Sequence, residues 1–182
     1  MGIVDTKVKV AGKTVGEYDI VPNLWIEEVY DDDGNLIAVE LHGHKKIRDN
    51  MFDGYYSLTS ITIPNSVTTI GNCAFNGCRG LTSITIPNSV TSIDSYAFSD
   101  CIGLTTITIP NSVTSIGSYA FGYCTNLNSV IFKSKPSDTI DKNTFRNCTN
   151  LTDIKVPWSE GAVAGAPWGA TNATITYNYT GE

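Results

Sequence analysis

The sequence predicts a mainly β solenoid of stacked 23-residue coils with an irregular unit at each end, and three observations predict it. A segment beginning at Leu58 recurs almost unchanged from Leu81 and again from Leu104. Within each copy isoleucine alternates with serine and threonine, the period-two mark of a strand with one buried face. Charge nearly vanishes across the copies: between Leu58 and Phe132 only Arg79, Asp94 and Asp100 carry it.

Residues 1–46 alternate apolar and polar positions, at Val8 and Val10 and again at Val39 and Leu41, around a turn at Asp31 to Asn35. They read as β-hairpins forming an N-terminal cap. The array follows over 47–157. It starts with a degenerate unit, because Ile47 and Phe52 fall on the Ile and Phe positions when the spacing is counted backwards from Leu58. In the clear copies a strand holds pairs such as Ile84 and Ile86. Pro64, Pro87 and Pro110, which lack the N–H a ladder needs, end it, and Asn-Ser turns the chain. A second short extended piece centres on Val90 and Ile93. Gly71, Asp94 and Gly117 then permit a turn into one helical loop that carries the Ala-Phe pair.

Leu127 opens a divergent fourth copy with Val130, Phe132, Ile140, Phe145 and Cys148, and one extra residue falls near Lys133 to Ser137. Leu151, Ile154, Val156 and Pro157 start a fifth that stops after its first strand. Residues 158–182 form a C-terminal cap, in which Pro157-Trp158 and Pro167-Trp168 suggest a two-tryptophan plug and Ala173 to Tyr179 a last strand. The second clear copy offers about seven apolar side chains for burial: Leu81, Ile84, Ile86, Val90, Ile93, Ala97 and Phe98. A lone coil cannot offset the ordering of its backbone with so few, so coils must share ladders and a continuous core. The two open ends must then be closed by units unlike the rest.

The pattern L-x-x-I-x-I-P-x-x-V-x-x-I-G-x-x-A-F-x-x-C resembles the BspA-type leucine-rich repeat over roughly residues 47–157. The resemblance implies a right-handed solenoid with a parallel sheet on its concave side. It also implies a bacterial surface or secreted protein that adheres to host components or other cells. The inserted fourth copy and its Ile131-Phe132 pair depart from the pattern.

Composition narrows the function classes. The chain has 182 residues, 41% of them hydrophobic, enough for one domain with a sizeable core. Charged residues make up 16% and the net charge is −6, which excludes a nucleic-acid binder because phosphate recognition needs a clustered basic surface. No apolar run approaches the roughly 20 residues of a membrane span, so no membrane insertion is expected. The start, Met1 to Val10, interleaves Asp5, Lys7 and Lys9 instead of a signal-peptide apolar stretch. Either the chain is made for the cytoplasm or an export signal lies outside it.

Candidate chemistry is sparse. Cys78, Cys101, Cys124 and Cys148 occupy one position of successive coils and should stack as buried free thiols, since side chains in register point in parallel and seldom meet disulfide torsions. Cys73 lies elsewhere, and no C-x-x-C supports a zinc or redox motif. Glu40, His42 and His44 would share one face of an extended segment, like metal ligands, but Gly43 and Lys45-Lys46 favour an exposed hairpin. Asp31-Asp32-Asp33-Gly34-Asn35 has the look of a calcium loop, yet Val29 takes the first ligand position and no helices flank it, so it reads as a solvated turn. Gly2 to Thr6 fits the myristoylation pattern, which is too permissive to use. No histidine lies inside the array to activate a nucleophile, and no carboxylate pair serves acid–base work there, so neither an enzyme nor a cofactor is expected.

The outward positions remain. Ser60, Thr62, Ser83, Thr85, Thr106 and Thr108, followed by Ser129 and Ile131, make a nearly chargeless hydroxyl sheet, and Tyr96, Tyr119 and Tyr123 project on the opposite side. Small β-branched hydroxyls suit any solvated strand. They also suit a repetitive contact surface, for which aromatic residues supply the hot spots. The expected function is therefore a non-enzymatic binding or adhesion module that presents this surface to a protein or glycan at the cell surface. A structural or receptor-binding module of a bacteriophage tail or other assembly is the alternative. Ice binding by the Thr-x-Thr rows would need a flat array, and a curved face of about four coils is a poor one.

Overall fold

The structure, a computed structural model, describes residues 25–136 and 139–181. The chain winds through strands β1 (Trp25–Tyr30), β2 (Leu36–His42), β3 (Lys46–Ile47), β4 (Ser60–Thr62), β5 (Thr69–Ile70) and β6 (Ser92–Ile93). It continues through β7 (Thr106–Ile109), β8 (Ser115–Ile116), β9 (Ser129–Phe132), β10 (Asp153–Lys155) and β11 (Thr174–Thr176). Among the described residues every strand pairing apart from the opening hairpin β1–β2 is parallel, as stacked coils require.

Each coil has three sides. The L-x-x-I-x-I segment supplies β2, β4, β7, β9 and β10, with β11 adding a last rung. Proline then closes a turn: the N–H groups of Val67, Val90 and Val113 donate to the carbonyls of Pro64, Pro87 and Pro110. The V-x-x-I segment gives an unbroken second ladder, β3-β5-β6-β8, in which Ile47, Ile70, Ile93 and Ile116 stand in register. This ladder places Ile47 in the array as counted. On the first side the parallel ladder begins earlier, since Ala38, Val39 and Glu40 pair with Ser60, Ile61 and Thr62, so the hairpin and the array share β2.

The third side corrects the expectation of a helical loop: no helix is present among the described residues. Its N–H groups alternate in purpose. Ala74, Asn76 and Cys78 donate within the coil to Gly71, Cys73 and Phe75, while Cys73, Phe75 and Gly77 donate to Ser95, Ala97 and Ser99 of the next coil. A helix would spend every N–H internally and leave nothing to join neighbouring coils. In each turn from Asn50 to Tyr123 two residues take positive φ to produce this alternation, for example Cys73 at 52° and Gly77 at 71°.

The expected strand at Ile84–Ile86 also needs correction. Thr82 to Ile86 carries no ladder, and the first side splits into β1-β2-β4 and β11-β10-β9-β7 around it. The second ladder and the turn hydrogen bonds run unbroken past this point, so the first side can spread without parting the coils. Ile84, expected in the core, is consequently half-buried, whereas Ile107 one coil on is buried.

The core runs along the axis. Phe52, Phe75, Phe98, Phe121 and Phe145 stack with ring centroids 5.3, 5.1, 5.2 and 5.7 Å apart. Leu58, Leu81, Leu104, Leu127 and Leu151 are fully buried beside them. The cysteine column is free and buried, and each thiol donates to a phenylalanine carbonyl of the preceding coil: Cys78 to Phe52, Cys101 to Phe75, Cys124 to Phe98 and Cys148 to Phe121. At the far end Trp158 and Trp168 lie edge to face, 6.4 Å apart, both against Phe132. Val8 and Val10 lie outside the described residues.

Candidate functional site

The outward positions of the first side are Ala38, Glu40 and His42 on β2, then Ser60 and Thr62 on β4, because Val39 and Leu41 between them point into the core. Ser83, Thr85, Thr106 and Thr108 continue the rows, and all six predicted hydroxyl residues of the clear copies are exposed. Ser129 and Ile131 end them half-buried, and beyond these Lys155 pairs with Asp153 at 3.3 Å. Where the ladder is interrupted the face sinks into an open depression of about 730 Å³, lined by Thr62, Thr85, Thr108, Ile84 and Lys133 among others. Ile84 was expected in the core and Lys133 was not singled out as a site residue; the pairing that would have carried Ile84 is missing here.

The tyrosines occupy the third side. Tyr96 and Tyr119 hold one position of successive turns and stack almost parallel, centroids 5.2 Å apart at 1°. Tyr123 stacks on Tyr119 at 6.1 Å. Tyr96 and Tyr123 are 42% and 45% exposed, so packing between coils does not hide them. All three sit at positive φ, 57°, 54° and 60°. A bulky side chain in that region is strained by about 1–3 kcal/mol; earlier turns fill the Tyr123 position with Gly54, Gly77 and Asp100 and the Tyr96 position with Asn50 and Cys73, all at positive φ. Cys73 holds the Tyr96 position one coil earlier. Beside the stack Arg79 pairs with Asp100 at 2.6 Å and lies over the exposed Tyr56 ring.

The histidine-containing segment differs from its reading. Glu40 and His42 do share a face, with His42 Nε2 at 3.4 Å from Glu40 Oε1. Gly43, at φ 71°, breaks the alternation and turns His44 inward, where it is buried and its Nδ1 lies 3.0 Å from the His42 carbonyl. The third member of the cluster is Glu27 of β1, directly opposite Glu40 in the hairpin register. Sequence reasoning missed Glu27, because counting outward from the Asp31–Asn35 turn pairs it with Val39, and only a bulge between Val29 and Tyr30 shifts the register to place it opposite Glu40. The turn itself is self-contained: Asp31 Oδ1 accepts from the backbone N–H groups of Asp33 and Asn35, and the Asn35 side chain holds the Asp31 carboxyl below the usual carboxylate range.

Parallel ladders, a leucine at the head of each coil and a phenylalanine column through the core define a leucine-rich-repeat solenoid. Six copies of the BspA type leucine rich repeat region match residues 45–163, and the chain belongs to that family. Among solved structures it is similar to a leucine-rich repeat protein of T. pallidum, with 24% identity and a TM-score of 0.60 over 85% of this chain and 79% of that one. A leucine-rich repeat protein from Bacteroides ovatus is 26% identical, TM-score 0.51, over 76% of this chain and 47% of its own. The pneumococcal vaccine antigen PcpA is 16% identical, TM-score 0.55, over 74% of this chain and 41% of its own. This chain thus spans less than half of the latter two. No curated protein matches it. No helix among the described residues is long and apolar enough to cross a membrane.

Proposed function

We propose that the protein is a non-enzymatic binding module that engages a protein or glycan at a cell surface. The tyrosine stack carries this reading: three partly exposed aromatic rings, Tyr96, Tyr119 and Tyr123, lie stacked together on the third side and concentrate rigid aromatic area on one patch. Tyrosine is also among the residues that dominate binding energy, through a large rigid area with a polar tip. The hydroxyl depression supplies a second, weaker contact face, apolar at Ile84 and hydrogen-bonding at its rim. A stack of short ladders keeps both surfaces preorganised, which reduces the ordering cost of binding. Membership of the BspA-type family supports the surface location.

A panel of glycans and matrix proteins, screened against the wild type, Tyr96→Ala and Thr85→Arg, tests the assignment. A hit lost in Tyr96→Ala but kept in Thr85→Arg places the contact on the third side, and the converse places it in the depression. A hit that both variants retain would overturn both surfaces. The free, buried thiols favour a second reading, a structural or receptor-binding part of an assembly such as a bacteriophage tail, because persistent thiols suit a reducing compartment.

A further inference from the structure

We infer that Glu27, Glu40 and His42 form a binding site for a divalent transition-metal ion of the zinc class, at the head of the hydroxyl face. Two strands build it. Glu27 and Glu40 are directly opposed across the antiparallel pair β1–β2, and His42 stands two residues along the same face of β2. One ligand atom from each of the three lies within 4.8 Å of both others.

Three features point to a metal and to its class. Like charges placed directly opposite on a hairpin destabilise it, and a dication between them reverses the sign of that interaction. The 3.4 Å from His42 Nε2 to Glu40 Oε1 exceeds a charge-assisted hydrogen bond of about 2.7–2.9 Å. It equals the edge of a tetrahedron with zinc–ligand bonds of about 2.0–2.1 Å. An imidazole in the donor set selects zinc, copper or nickel over calcium and magnesium, which take oxygen alone. Glu27 and Glu40 are exposed, so rotation of their side chains can close the remaining distance.

Three protein ligands leave a tetrahedral ion one open position. Glu40 pairs in register with Thr62, so that position borders the exposed hydroxyl rows. The ion would therefore add a Lewis-acidic point to a face otherwise almost without charge, and it would tie β1 to the first coil.

Titration calorimetry of the metal-free protein with zinc chloride tests this, with calcium chloride as the contrast. The expected result is one saturable zinc site and no calcium binding at the same concentrations. His42→Gln and Glu27→Gln should each weaken zinc by more than the ~10–100-fold lost with an outer partner of a metal ligand. Cys73→Ser and His44→Gln should leave it unchanged. Both Glu27 and Glu40 are surface residues, so Glu27→Gln folds even if His42→Gln does not. Zinc binding that survives Glu27→Gln and His42→Gln, or equal affinity for calcium and zinc, would overturn the site.

Discussion

His44 joins the hairpin to the first coil from inside the protein. Its ring is buried, and its carbonyl accepts the Ser66 hydroxyl at 2.6 Å. Burial is the main reason its pKa falls below the ordinary 6.5, so the folded protein keeps it neutral where the unfolded chain takes up a proton. The unfolded state binds more protons below that value, and stability therefore falls as pH drops through about 6.5 toward the folded-state pKa. Urea midpoints at about pH 7 and pH 5 should differ more for the wild type than for His44→Gln. Equal losses in both would assign the acid sensitivity to the carboxylates. This residue also marks a limit of the sequence: two histidines flanking one residue are symmetric on paper, and only the left-handed turn at Gly43 separates an outward His42 from an inward His44.

At the scale of the coil, most of the architecture was legible because one pattern repeats. The alternation read at Ile84 and Ile86 forms a strand one coil on, at Thr106 to Ile109, proline ends it, and leucine, phenylalanine and cysteine each form a column. The helical loop was misread because Ala-Phe flanked by small residues suits a helix locally. The deciding fact is non-local, namely that alternate N–H groups must reach the next coil. The same columns make Phe98 central, stacked between Phe75 and Phe121 with no exposed surface. Phe98→Ala should cost roughly 3–5 kcal/mol in denaturant unfolding. A near-neutral result would mean that the column does not carry the core. The interrupted ladder at Thr82 to Ile86 had no signal in the sequence, since this copy is nearly identical to its paired neighbours. The tyrosines could be placed on the third side by spacing alone, but neither their stacking nor their strained φ could.

For the whole molecule the ends matter most, since a stack loses neighbours there first. Trp168 is fully buried, its indole N–H donates to the Ala164 carbonyl at 3.0 Å, and its own carbonyl accepts from Phe145. Trp168→Ala should therefore strip hydrogen-exchange protection from β9 and β10 before β5 and β6, as local opening spreads inward. Uniform loss along the chain would show one cooperative unit instead.

Across the clear copies the thiol-to-carbonyl bonds, the phenylalanine stack and the third-side hydrogen bonds all recur at the same interval from one winding to the next. Adding or removing one whole winding would present each terminal unit with the surface it already meets. Duplication of a 69-base stretch of gene could thus lengthen the molecule without redesigning any contact, and reach, rather than shape, is the property most open to change.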